Sequence, residues 1–195
     1  MPSSPLPTPH CQTSTHPKRP HPPFYQHGNR DFLLNQTYAR LSGLTLLPER
    51  YSFTLPPPAP HLPPHQLLLE HGDLLCRDDH GYQRLRKFLR HPLTQRLYHH
   101  LSPALKHRLA RYLRQQSQQR GQYKSPSHTD VTPDYIDTLF KQHHANILIH
   151  GHTHRPQIHH HPQGTRYVLG DWHPHGKILC YHHGKFCLLE SHELI

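Results

Sequence analysis

Acidic side chains are scarce in this sequence of 195 residues. Twelve Asp and Glu residues stand against 22 Lys and Arg residues, and the formal net charge is +10 with histidine neutral. From His80 to Thr129 there is no carboxylate at all. This imbalance favours an anionic partner over a cationic one.

Long apolar runs and paired cysteines are also missing. No run approaches the ~20 apolar residues of a membrane span, and residues 1–23 lack the apolar region of a secretory signal. The four cysteines, at positions 11, 76, 180 and 187, form no C-x-x-C pair. They are interpreted as small buried hydrophobes in a reducing cytoplasm.

The chain divides into two regions by composition. Residues 1–23 are rich in Pro, Ser, Thr and His and hold too little apolar surface to offset the entropy of ordering, so disorder is predicted there. Residues 24–195 alternate strand-like and helix-like patterns and are predicted to form one α/β domain. Strands are expected near residues 45–47, 51–55, 66–70, 146–150, 166–169, 176–181 and 185–190, and helices near 32–42, 82–124 and 133–143.

Histidine is abundant, with 26 residues. The apolar run 147–149 precedes His150-Gly151-His152-Thr153-His154, which predicts a strand that ends in a loop carrying two imidazoles. Imidazole suits Zn, Mn, Fe, Ni and Cu, and the glycine lets the backbone turn. The run 159–161, also histidines, is expected in a polar loop without a ligand role.

Two earlier fragments complete a pattern. Gly28-Asn29-Arg30-Asp31 and His71-Gly72-Asp73 each combine a glycine with short polar ligands, and the second follows an apolar run. Gly-Asn-x-Asp, His-Gly-Asp and Gly-His-x-His, in this order, resemble the calcineurin-like metallophosphoesterases. The flanking residues 30–34, 74–82 and 168–173 narrow the resemblance to the UDP-2,3-diacylglucosamine pyrophosphohydrolases, from about Phe24 to near the C-terminus.

The resemblance implies a fold, a reaction and a cofactor. The fold would be a partial metallophosphoesterase β-sandwich flanked by helices, with a basic helical lid at about residues 82–124 that accepts two acyl chains. The reaction would cleave the pyrophosphate of UDP-2,3-diacylglucosamine into UMP and 2,3-diacylglucosamine 1-phosphate, with Mn²⁺ as cofactor. Asn29, His71 and His152 would bind one ion, and His154 would be a ligand of the other.

The resemblance also implies substrate contacts. Arg30 would meet the phosphates, because its planar fork matches phosphate oxygens. Other residues match positions at the glucosamine and phosphate end of the substrate: Asp79, Tyr82, Ser117, Lys124 and His152.

Two motifs of the resembling family are not found in place. These are an early Asp-x-His and a Gly-Asp whose carboxylate bridges the two metals. Asp78-Asp79-His80 follows no apolar strand, and Gly170-Asp171 belongs to a late, structural segment. We therefore expect an N-terminally truncated homologue, through a misassigned start, a frameshift or gene decay, with at most one weakly bound ion and impaired hydrolysis.

The basic region between residues 80 and 129 has a helical pattern of apolar residues, with Pro92 and Pro103 as helix starts. Three interpretations remain: a solvated charged face, a nucleic-acid surface, or a cap on an anionic membrane. No known nucleic-acid motif is present, so a nucleic-acid partner is not predicted. The resemblance favours the third, which predicts a cytoplasmic protein peripheral to the inner membrane. The basic residues are Arg84, Arg86, Lys87, Arg90, Arg96, Lys106, Arg108, Arg111, Arg114, Arg120 and Lys124.

Two functions from different classes remain open. One is a hydrolase of the lipid A pathway. The other is a noncatalytic, His-rich basic protein that binds metal ions or an anionic membrane surface.

Overall fold

A computed structural model describes residues 22–57, 59–123, 131–171, 176–182 and 184–190, without the side chains of residues 117–123. The disorder predicted for residues 1–23 lies outside these ranges except for its last two positions.

The described residues form a mixed α/β fold of nine strands and five helices. In chain order the elements are β1 (Phe24–Gln26), α1 (Gln36–Leu41), β2 (Thr45–Leu47), β3 (Arg50–Leu55), β4 (His65–Glu70), α2 (His80–Leu89), α3 (Pro92–His100), α4 (Pro103–Tyr123), α5 (Pro133–His143), β5 (Ile147–His150), β6 (Gln157–His161), β7 (Gly164–Val168), β8 (Lys177–His182) and β9 (Lys185–Glu190).

The central sheet has the strand order β3-β4-β5-β7-β6. Strands β4, β5 and β7 are parallel, whereas β3 and β6 pair antiparallel at the two edges. Parallel strands are usually buried on both faces, and β4 and β5 accordingly carry runs of apolar residues. Because β4 and β5 run side by side in one direction, the residues that follow them emerge at the same edge of the sheet.

The core lies between this sheet and α5. Pro133 starts the helix, and Ile136, Leu139 and Phe140 recur at the three-to-four spacing that places them on one face. These side chains are buried with Leu68 of β4 and Leu148 of β5, both fully inaccessible. The α/β fold class predicted from the sequence is confirmed.

A hairpin, β8–β9, packs against the same sheet through aromatic rings. Phe186 lies 5.2 Å from Tyr167 of β7 and 5.6 Å from His65 of β4, measured between ring centroids. In the register of β8 and β9, Cys180 lies opposite Cys187.

Three consecutive helices, α2, α3 and α4, occupy the basic region. Helices α2 and α3 contain no fully buried residue, and large apolar side chains are exposed along all three. Within the described ranges, no helix combines the length and the apolar character needed to cross a bilayer.

The structure corrects three local predictions. The 159–161 histidines lie in strand β6 and not in a loop, where they pair with β7. Strand β1 lies outside the strand ranges expected above, and α1 is shorter than expected because Asn35 caps it by accepting a hydrogen bond from the Tyr38 amide at 3.0 Å.

Candidate metal and phosphate site

The site begins where two parallel strands end. His71 follows β4 directly, and β5 ends at His150. The Gly151 amide donates a hydrogen bond to the His71 carbonyl at 3.0 Å, which ties the two strand ends together. Gly72 has a φ of 109°, a region that side chains with a Cβ rarely adopt, and it turns the chain away from the sheet here.

This arrangement brings His71 and His152 into contact. His71 Nε2 and His152 Nδ1 are 3.3 Å apart, and the ring centroids are 5.2 Å apart. Metal–nitrogen bonds of about 2.0–2.1 Å separate neighbouring ligand atoms by about 2.9–3.4 Å in octahedral or tetrahedral geometry. In the structure one of these nitrogens donates a hydrogen bond to the other, and the distance between them also matches that of neighbouring ligands on one ion. His152 has a φ of 68°, a left-handed backbone held by the surrounding loop.

The first fragment lies against the same imidazole. A Cβ placed on Gly28 would be 3.0 Å from His71 Cε1, so the Gly28 backbone is packed on the ring. The Gly28 amide donates to Asp31 Oδ1 at 2.6 Å, and the Tyr25 hydroxyl donates to the same carboxylate. Asn29 follows this contact in the chain, whereas Arg30 is exposed.

His154 lies at the exposed rim of the site. Its side chain is 63% accessible, and its Nδ1 is 3.8 Å from Asp171 Oδ2. With a φ of 53°, it is the second left-handed residue of the loop. Asp171, which sequence reasoning assigned to a structural segment, is thus the carboxylate near this imidazole.

Asp73, the acidic member of the His-Gly-Asp fragment, faces helix α2. Its Oδ2 accepts hydrogen bonds from Tyr82 Oη at 3.0 Å and from Arg86 Nε at 2.7 Å. Asp79 caps α2 by accepting from the Tyr82 amide at 3.0 Å. The Tyr82 ring also lies 5.9 Å from the His152 ring, so α2 begins beside the imidazole pair.

Burial sets the protonation states of this site. Desolvation, followed by the neighbouring imidazole of His71, lowers the pKa of His152 to about 4. Desolvation also lowers the pKa of His71. Although burial opposes it, the hydrogen bond and charge of Arg86 lower the pKa of Asp73. At neutral pH the imidazoles are therefore unprotonated, the form that binds metals, while Asp73 is ionised.

The ligand set is nevertheless incomplete within the described residues. They contain no group of three or more His, Cys, Asp and Glu side chains arranged to hold a metal ion. Asp73 is engaged by Arg86, and Asp31 by Tyr25 and the Gly28 amide. The described residues thus fit two positions around one cation, but they do not supply a two-ion centre.

The predicted site residues other than His154, which lies at the rim, fall into three groups. His71 and His152 meet, and the Gly28 backbone, which precedes Asn29 and Arg30 in the chain, packs on His71. Tyr82 and Asp79 lie at the start of α2 beside them. The side chain of Ser117 and the whole of Lys124 lie outside the described residues.

Sequence reasoning did not identify two arginines that border the site. Arg86 and Arg90 occur one helical turn apart on α2, and both form ion pairs with Asp73 and Glu49. The sequence does contain a pattern that could have identified them. Arg86 and Arg90 are four residues apart and follow the His-Gly-Asp fragment, and residues at this spacing lie on one face of a helix.

Comparison with known proteins identifies the family. No protein-family model matches the chain. The chain is 42% identical over 160 residues to the UDP-2,3-diacylglucosamine hydrolase of Pseudomonas syringae pv. tomato, covering 80% of this chain and 62% of that protein. It is 44% identical over 154 residues to the one of Tolumonas auensis, with 76% and 60% covered.

A relative from Aeromonas hydrophila, also a UDP-2,3-diacylglucosamine hydrolase, is 39% identical over 178 residues, with 89% of this chain and 70% of that protein covered. The chain spans 62% and 60% of the length of the first two relatives. These identities of 39–44% extend over 76–89% of the chain. They indicate the same family as the order of the three polar fragments does, and the observed α/β fold is compatible with it. The chain therefore belongs to the UDP-2,3-diacylglucosamine hydrolase family of the metallophosphoesterase superfamily.

Proposed function

We propose that this chain acts in hydrolysis of the pyrophosphate of UDP-2,3-diacylglucosamine, a step of lipid A biosynthesis, which yields UMP and 2,3-diacylglucosamine 1-phosphate. The observation that carries the proposal is the 3.3 Å approach of His71 and His152, which belong to two motifs in a chain of this family. The relatives are named for hydrolysis of this substrate.

The proposed cofactor is one divalent cation, Mn²⁺. His71 and His152 would hold it as neutral imidazoles, with Asn29 as the third donor and His154 at the rim. When bound, such an ion polarises phosphoryl oxygens and lowers the pKa of a bound water. These donors bring no negative charge, so weak binding is expected unless a carboxylate outside the described residues joins them.

The proposed substrate contacts surround the imidazole pair. Arg30 is exposed next to Asn29, where its guanidinium can meet phosphate oxygens. Asp79 and Tyr82 would line the sugar end, with Ser117 and Lys124 farther along the chain. The part of these residues is to bind and orient the substrate against His152.

Turnover tests this proposal. With Mn²⁺ present, the wild-type chain should release UMP from UDP-2,3-diacylglucosamine, and His152→Ala should reduce the rate at least about tenfold, because a ligand is lost. Loss of the free Mn²⁺ signal in electron paramagnetic resonance measures binding directly. His160→Ala, an exposed imidazole on β6, is the control. If wild type and His152→Ala release UMP at the same background rate, the proposal that this chain is a hydrolase is wrong.

The basic helices are proposed to rest on an anionic membrane surface, with the protein peripheral to the cytoplasmic face of the inner membrane. Phe88, Leu93 and Leu97 are 63%, 64% and 69% exposed, and Leu105 and Tyr112 are also exposed. The same helices carry basic residues and no acidic ones. Apolar side chains beside basic ones suit the boundary between acyl chains and anionic headgroups.

Vesicle sedimentation tests the membrane proposal. The chain should bind vesicles containing phosphatidylglycerol and should bind phosphatidylcholine vesicles less, with affinity falling as salt rises. The double variant Leu93→Gln, Leu97→Gln should lose binding several-fold. Leu41→Gln is the matched control, because Leu41 is 84% exposed on α1, outside the basic helices. Equal binding of both variants would contradict the proposed surface.

A second candidate function is noncatalytic binding of metal ions or anionic surfaces by a His-rich basic protein. The incomplete ligand group in the described residues disfavours two-ion catalysis, and the exposed apolar and basic residues of the helices favour binding to an anionic surface. The turnover and Mn²⁺ binding measurements described above separate this function from hydrolysis. Binding of Mn²⁺ without release of UMP would support the noncatalytic function.

A further inference from the structure

Helix α2 docks on the site through polar side chains. None of its residues is fully buried. Gln83 Nε2 donates to the carbonyls of Asp73 and Cys76 at 2.7 and 3.0 Å, and Arg86 donates to the Asp73 carboxylate. These polar contacts tie α2 to the His-Gly-Asp turn, beside the partial burial of Leu85 and Leu89.

Arg90, the C-terminal cap of α2, extends across the site. Its Nη2 donates to the Gly28 carbonyl at 2.9 Å and lies 3.8 Å from Asp73 Oδ2, while its Nη1 contacts Glu49. Its side chain is only 13% exposed, and its guanidinium carbon lies 5.5 Å from the centroid of the Phe32 ring. One guanidinium therefore joins α2 to three separate chain segments.

The hydrogen bond from Arg90 to the Gly28 carbonyl restrains the backbone next to Asn29. The Gly28 carbonyl and the Asn29 amide belong to one planar peptide unit, so a bond to the carbonyl orients both. The Gly28 amide is held from the other side by Asp31 at 2.6 Å. Both polar backbone groups of Gly28 are thus restrained, one within the loop and one from α2.

We propose that Arg90 is a positioning residue that fixes the Gly28–Asn29 peptide against His71, so that the presentation of Asn29 and Arg30 depends on the docking of α2. The proposal rests on the proposed function in giving Asn29 and Arg30 their roles. In this role Arg90 would act through the loop backbone and not by touching substrate or metal. The planar guanidinium of Arg90 suits this role because its separate nitrogens can donate hydrogen bonds to Gly28 and Glu49 at the same time.

Hydrogen exchange of the metal-free chain tests the positioning role. In Arg90→Gln the amides of residues 28–31 should exchange about tenfold faster, which corresponds to the loss of one hydrogen bond. Amides of β4, β5 and α5 should keep their rates, which a general loss of stability would not allow. Arg84→Gln, an exposed arginine on the same helix, is the control with the same change in charge.

Mn²⁺ binding supplies a second measurement. Arg90→Gln should weaken binding about three- to tenfold, whereas Arg84→Gln should leave it unchanged. Unchanged exchange at residues 28–31, or equal acceleration throughout the chain, would overturn the positioning role. If wild type binds no Mn²⁺, the proposed function fails while the exchange result still decides the role of Arg90. Should Arg90→Gln not fold, Arg90→Lys, which keeps the charge but loses the fork, is measured against the same expectations.

Discussion

Replacing Gly72 with alanine is expected to lower the free energy of unfolding by about 2–5 kcal/mol. At a φ of 109°, the new Cβ would lie 2.9 Å from His150 Nδ1, 3.0 Å from the Gly151 carbonyl oxygen and 3.2 Å from His152 Cβ. The unfavourable φ and the short contacts both destabilise the folded chain. Both occur at the turn that brings His71 close to His152. Urea denaturation measures the loss of stability, and Mn²⁺ binding should fall with it.

Gly81→Ala is the matched control for this substitution. Gly81 lies within α2, and the nearest atom to an added Cβ is Asp79 Oδ1 at 3.8 Å, an ordinary contact. Alanine should be neutral or stabilise the helix by about 0.5–1 kcal/mol. An equal effect of the two substitutions would show that the Gly72 turn is not under the constraint described here.

Acidification is expected to destabilise the metal-free chain over the range from about pH 6.5 to about pH 3. Burial lowers the pKa of His150 to about 3 and that of His152 to about 4. Below pH 6.5 the unfolded chain takes up protons at these residues while the folded chain does not, so stability falls as pH falls until the folded pKa values are reached. From pH 7.5 to pH 5 the expected loss is about 2–4 kcal/mol, measured by urea denaturation in EDTA.

The slope of stability against pH identifies the groups responsible. His150→Gln should flatten the slope, because it removes one buried imidazole whose Nε2 accepts a hydrogen bond from Arg166 at 3.1 Å. His160→Gln, at an exposed position on β6, should leave the slope unchanged. Burial raises the pKa of Glu70, and this shift opposes the loss of stability at low pH. Because Glu70 is present in all variants, it does not affect the comparison between their slopes. A wild-type free energy that stays flat from pH 7.5 to pH 5 would refute the assignment of neutral buried imidazoles.

Several features of the fold could be predicted from local patterns. Helix α5 is found at the predicted residues 133–143, because proline at its start and apolar residues at helical spacing act within one segment. Strands β4 and β5 were predicted within one residue, since both are apolar runs that end at glycine-containing turns. The close approach of His71 and His152 agrees with the three-fragment pattern.

Other features could not be predicted from the chain alone. Histidine has no strong preference for strand or loop, so the sequence of residues 159–161 predicts a polar loop, and only the pairing with β7 shows that this run forms β6. Asp31 and Asp73 look like free carboxylates in the sequence. Tertiary contacts with Tyr25 and Arg86 show that they are engaged.

By itself the sequence determined the α/β class, most element positions and the three polar fragments of the site, because glycine turns, helix caps and apolar periodicity act between near neighbours. Only the tertiary structure decided which polar groups meet. His71 and His152 are 81 residues apart in the chain, and Arg90 and Gly28 are 62 residues apart. Such contacts depend on how β4, β5 and α2 are positioned relative to one another, and short-range sequence patterns carry little information about that geometry.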